Sequence, residues 1–164
     1  MKAKRVAFLG LSIALAMILS FVESQIPALV AIPGIKVGLP NIVMVFLLYR
    51  VGWKETVIVS IVRILLISML FGNLQTMTFS IMGAAISLLG MILLKKVKWF
   101  SCITVSVMGG ILHNVGQIIA ACLWTQTAEI AFYLPVLLIS GTIAGTLIGL
   151  LAGIMVKRME KWKF

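Results

Sequence analysis

The sequence predicts an all-α, polytopic membrane protein with six transmembrane helices and both termini cytoplasmic. Three observations carry that expectation. Of 164 residues, 62% are hydrophobic and 11% are charged, and mean hydropathy is +1.21. A soluble domain of this size cannot hide that much apolar surface. Apolar runs of bilayer-crossing length recur along the chain. Basic residues cluster in every second gap between them: Lys2, Lys4 and Arg5, then Arg50 and Lys54, then Lys95, Lys96 and Lys98, then Lys157, Arg158, Lys161 and Lys163. Those are 12 of the 14 basic residues. The bias follows the positive-inside rule and fixes the expected orientation. A net charge of +10 is therefore read as a topology signal and a contact for anionic lipid, not as a nucleic-acid surface.

In order, the expected spans cover about 6–22, 37–49, 55–71, 74–94, 100–124 and 132–156, all within one membrane domain, 1–164. The first follows a basic start, as a signal peptide would, but it is long for one and lacks a clear small-x-small cleavage site. Its Gly10, Ser12, Ala14, Ala16 and Ser20 follow small-xxx-small spacing and predict a close packing face. From Glu23 to Pro40, three prolines and two glycines predict a loop or re-entrant stretch able to cap a cavity. The second span is short. The third carries Arg63 near its middle, and Gly72-Asn73 marks a tight turn into the fourth. The fifth holds both cysteines, Cys102 and Cys122, about 30 Å apart along one helix, too far to pair. In the sixth, Gly141, Gly145, Gly149 and Gly153 recur every fourth residue and predict a backbone-close contact with a neighbouring helix.

Few polar side chains lie within these runs. His113, the only histidine, shares a helical stripe with Asn114 and Gln117. Polar groups at bilayer depth face the protein interior or a site, because hydrocarbon leaves them unsatisfied. Helix–helix bonding is one reading of the stripe, and a ligand pocket is the sharper one. Arg63 is the costliest side chain, about 2.5–3.5 kcal/mol at a helix centre. It either snorkels or finds a partner, and a ligand carboxylate or phosphate is one such partner. With Asn41, Asn73, Lys36 and Glu23, these residues outline a site open to the outer face.

The sequence lacks several catalytic signatures. There is no Walker A loop. The four acids, Glu23, Glu55, Glu129 and Glu160, are widely separated, whereas holding magnesium on a diphosphate takes several carboxylates. No nucleophile has a base at motif spacing, and His113 has no orienting acid. The chemistry points to binding or transport without a resident cofactor or metal.

Three stretches carry a family resemblance. They are Ala14-Leu15-Ala16 with Phe21 to Pro27; Pro33 to Val43; and Leu70-Phe71-Gly72-Asn73 with His113-Asn114-Val115-Gly116-Gln117. Together they resemble the bacterial membrane family called Gx transporter, or heptaprenyl diphosphate synthase component I, from about residue 5 to 156. Pro40 stands where alanine is expected. That family is similar to the S components of energy-coupling-factor transporters. The resemblance implies a multi-pass protein of the bacterial plasma membrane that captures a small vitamin-like or cofactor-precursor molecule. Its partners would be a membrane T component and two cytoplasmic ATPases. Ala14, Ala16 and Ser20 would form the docking face on the first helix. The alternative is a non-catalytic membrane component of prenyl diphosphate or quinone synthesis. Prenyl synthases use aspartate-rich metal motifs, and this sequence has none. A flavin, a thiamine-like compound or an isoprenoid precursor would suit a mixed apolar and cationic pocket.

Overall fold

A computed structural model describes residues 2–25 and 37–161. Among them are six α-helices and no strand: α1 (Lys2–Gln25), α2 (Asn41–Arg50), α3 (Trp53–Phe71), α4 (Leu74–Lys96), α5 (Cys102–Thr125) and α6 (Leu134–Arg158), the last preceded by a 3₁₀ turn over Glu129–Tyr133. Lys36 lies outside the described residues.

Four helices are long and apolar enough to cross a membrane: α1, α4, α5 and α6 with its leading turn. The remaining two expected spans differ for separate reasons. Helix α3 has 19 residues but carries Lys54, Glu55 and Arg63. Helix α2 has only ten, about 15 Å of rise against a hydrocarbon core of about 30 Å. The helix pattern of α1 also continues past the expected break at Glu23, through Gln25.

Local chemistry sets the helix ends. Asn73 caps α4 with a capping box: its side chain accepts from the Thr76 N–H at 2.8 Å, and Thr76 Oγ1 accepts from the Asn73 N–H at 3.0 Å. This leaves a two-residue link, Gly72-Asn73, between α3 and α4, as expected. Ser101 caps α5 through the Thr104 N–H at 3.1 Å, and Gln126 ends it in the left-handed region.

Helix α2 sits at the centre. Its residues Val43 to Leu48 are all buried. Val43, Met44, Phe46 and Leu47 pack with Ala16 of α1 and Val59 of α3, while Val45 and Leu48 pack with Leu88, Met91, Val105 and Ile148 of the last three helices. One short helix thus joins two apolar cores. Large apolar side chains such as Ile61, Leu65, Leu89 and Ile143 are exposed on the outer faces, the surface that lipid would cover.

Helices α4, α5 and α6 are sewn together by glycine. A Cβ on Gly145 would lie 2.7 Å from Val107 Cα, on Gly149 2.8 Å from Ile103 Cα, and on Gly141 3.0 Å from the Gly110 carbonyl oxygen. On the other side of α5, a Cβ on Gly116 would lie 2.7 Å from the Met82 carbonyl oxygen. The four-residue glycine repeat of α6 therefore does make the close contact its spacing predicts. Its last member, Gly153, does not take part, having nothing within 4 Å of a Cβ.

The two ends of the bundle differ. At one, Arg5 pairs with Glu55, Arg50 donates to the Met159 carbonyl at 2.7 Å, and Lys95 donates to the Leu48 carbonyl. The start of α1 and α3 and the finish of α2, α4 and α6 thus gather there with most basic side chains. At the other end Phe21 meets Phe71, ring centres 5.1 Å apart, and the Gly38 N–H donates to Glu23.

Candidate functional site

A cavity of about 410 Å³ lies at the end away from the basic cluster and reaches into the bundle between all six helices. Val37, Gly38 and Pro40, just ahead of α2, and Asn41 in its first turn form part of its wall. The cavity is within the range of small-molecule pockets, roughly 300–1,000 Å³.

Seven of the eleven residues singled out in the sequence line it: Glu23, Asn41, Arg63, His113, Asn114, Gln117 and Ser20. They come from four helices and converge because α1, α3 and α5 direct their C-terminal halves, and α2 its first turn, to the same end. Asn73 is not in the lining; it is exposed, and its side chain is committed to the cap of α4. Lys36 is outside the described residues.

The expected docking residues of α1 divide. Ala14 is exposed. Ala16 is fully buried, 0% accessible, within the core shared by α1, α2 and α3; its small side chain is used for packing inside this chain, so it is not a surface for a partner. Ser20 faces the cavity. Its hydroxyl donates to the Ala16 carbonyl at 2.8 Å and accepts from Arg63 Nη1 at 3.2 Å.

Arg63 has little else. Its Nε is buried with no hydrogen-bond partner, and among the described residues no carboxylate lies within ion-pair distance of it. Glu23 is on the same cavity wall, but its carboxylate accepts from the Gly38 N–H at the approach to α2. There it faces the positive end of the α2 dipole. Gly38 has φ +77°, and a Cβ would lie 3.1 Å from both Asn41 Nδ2 and Ile148 Cδ1. Glycine suits this bend on both counts.

The opposite wall is α5. Asn114 donates to the Leu137 carbonyl of α6, so this member of the polar stripe does serve as an interhelical bond. His113 lies over Gly83 of α4, where a Cβ would come 2.9 Å from its Cε1. Gln117, one turn on, makes no hydrogen bond with the described residues, and neither does the Asn41 side chain. Helix pairing and cavity lining are thus divided among neighbours on one face.

Ser87 and Ser106 also line the cavity and are nearly inaccessible. Ser87 donates to the Gly109 carbonyl at 2.8 Å. Ser80 is also in the lining. Serine is too common in membrane helices for its spacing alone to separate packing from lining. For Ser20 a signal exists: it stands three residues before Glu23, on the same helical face.

The heptaprenyl diphosphate synthase component I family model matches residues 12–155, most of the chain. No curated protein and no solved structure shows a significant match.

Proposed function

The chain belongs to the heptaprenyl diphosphate synthase component I family, and on that premise we propose that it is the substrate-binding membrane subunit of an uptake system. It crosses the bacterial plasma membrane six times, with both termini cytoplasmic, and holds a small cofactor-precursor molecule in the six-helix cavity. It works by binding rather than catalysis. Energy comes from two cytoplasmic ATPases acting through a membrane T component.

One observation supports this reading above the others. The cavity lies toward the end away from the basic side chains, which the positive-inside rule assigns to the exterior. It also holds polar groups that the described residues leave unmatched, Arg63 Nε foremost. Unmatched buried donors are expensive, and a ligand that meets them recovers the cost. Helices α2 and α3 are counted among the six crossings: the short α2 is enclosed by protein and Arg63 of α3 lines the cavity, so neither needs to satisfy lipid alone.

Gentle purification of the full chain, with mass spectrometry of whatever accompanies it, tests the proposal. The expected companions are two ATPases, a small polytopic membrane protein and a bound small molecule. Recovery of the chain without ATPases and without any small molecule would overturn it.

The family description favours a second reading, a non-catalytic membrane component of prenyl diphosphate synthesis. In that case a soluble prenyl synthase would accompany the chain instead.

A further inference from the structure

We propose that the molecule held in the cavity carries one anionic group, a carboxylate or a phosphate monoester, bound at Arg63, and is not a prenyl diphosphate. This rests on the uptake-subunit reading and specifies the substrate class of the same site.

Charge is the first ground. In the described lining Arg63 is the one side chain with a fixed positive charge and Glu23 the one with a negative charge. They do not neutralise each other by contact. Glu23 is turned to the Gly38 N–H at the head of α2, where the helix dipole already favours an anion. Arg63 donates to the neutral Ser20 hydroxyl, which leaves most of its N–H donors unmatched by the described residues. A guanidinium fork so placed, with Nε buried and unpartnered, is complementary to a planar carboxylate or to two oxygens of a phosphate.

Charge balance within the described lining also favours a single anionic group over a diphosphate. A diphosphate carries more negative charge than one guanidinium offsets, and Glu23 on the same wall opposes it. Magnesium would ordinarily make up the difference, held by one or two carboxylates together with the phosphates, but the one carboxylate in the described lining, Glu23, is turned to the Gly38 N–H.

The surroundings of Arg63 suggest the remainder of the ligand. Ile64, Ile67 and Phe71 continue the α3 wall as an apolar strip. Across the cavity stands the amide of Gln117, and at its α2 wall that of Asn41, each able to donate and accept. An anionic head at Arg63, an apolar body along α3 and a neutral polar group facing the amides would fill the site.

The test uses the full chain in mild detergent, first stripped of co-purified small molecules, with thermal unfolding as readout. The probes are matched pairs that differ in charge: benzoate against benzamide, and phenyl phosphate against phenol. Wild type should be stabilised by an anion and not by its neutral partner; which anion acts separates carboxylate from phosphate. Arg63→Gln keeps a donor for Ser20 without the charge and should lose the response, while Arg63→Lys should keep part of it. In parallel, the molecule extracted from wild type should contain one such group, and its yield should fall at least about tenfold in Arg63→Gln. Equal stabilisation by neutral partners, an extracted molecule that is neutral, or an extracted diphosphate would overturn the anion assignment and leave the binding subunit standing. No extracted molecule and no response to any probe would remove the binding subunit itself, and the assignment with it.

Discussion

Helices α4 to α6 and helices α1 to α3 are built on different terms. The later three touch backbone to backbone through Gly116, Gly141, Gly145 and Gly149, and hydrogen bonds from Ser87 and Asn114 tie them across. The earlier three rest on side-chain packing around α2. In α1 only 11% of the apolar stretch is buried, against 28% in each of α4, α5 and α6. The charges follow the same division: within the cavity Arg63 and Glu23 belong to the looser side, and the tight side contributes only neutral groups and His113. In lipid there is little hydrophobic drive between helices, so close backbone contact and interhelical hydrogen bonds are the main adhesives. The half with the glycine seams is the natural fixed wall, and the half without them carries the charged groups of the cavity. If a ligand is to enter, the looser half is where the structure yields most cheaply.

The strongest way to break this comparison is Gly145→Leu. Its side chain would have to displace the Val107 backbone, so the seam between α5 and α6 must part. A loss on the order of 3 kcal/mol is expected, roughly 10 °C in the thermal midpoint of the purified protein. Gly10→Leu in α1, where nothing lies within 4 Å of a Cβ, should leave the midpoint nearly unchanged. Equal losses at the two positions would end the distinction between the halves.

Next comes charge. Arg63→Met removes a cation from the looser half. The midpoint should hold or rise, because a guanidinium with only a neutral hydroxyl as its described partner is costly at this depth, while retention of the bound molecule is lost. A fall as large as that of Gly145→Leu would make Arg63 a structural residue.

Smaller effects sharpen the picture. Ser87→Ala removes the bond to the Gly109 carbonyl and should cost about 1 kcal/mol by denaturant or heat titration. Ser20→Ala should cost less, since it bonds its own helix and an arginine that has other directions to turn. Smallest of all is Gly153→Ala, expected within about 0.5 kcal/mol of neutral or slightly stabilising. Gly149→Ala, one turn earlier, would press on Ile103 Cα and should be clearly destabilising. A reversed order in that pair would show that the seam runs further than the geometry places it.

Much of this was legible in the sequence, and what was not has a physical reason. Helix number and order came from apolar runs and the charges between them, because lipid leaves the backbone few alternatives. The α6 glycine repeat announced its contact, since only a close neighbour repays the cost of glycine in a helix. Arg63, His113, Asn114 and Gln117 stood out as polar groups where polarity is expensive. What could not be read was the division of labour among them. Whether Asn114 meets Leu137 or a ligand depends on the rotation of α5 against α6, which no one-dimensional spacing contains. Ala16 and Ala14 were equivalent as small residues and differ in exposure because the core with α2 covers one and not the other. Asn73 was read both as a turn residue and as part of the site; the capping box accounts for it through its neighbours alone.

The brevity of α2 has a consequence for what this scaffold can carry. Part of the cavity wall is the first turn of a ten-residue rod, so where that rod begins bears on what fits: a turn added ahead of Asn41 would be expected to shrink the guest and a turn removed to enlarge it, with the seam of α5 and α6 untouched. Relatives that differ in this one length would be expected to differ in cargo size before they differ in anything else.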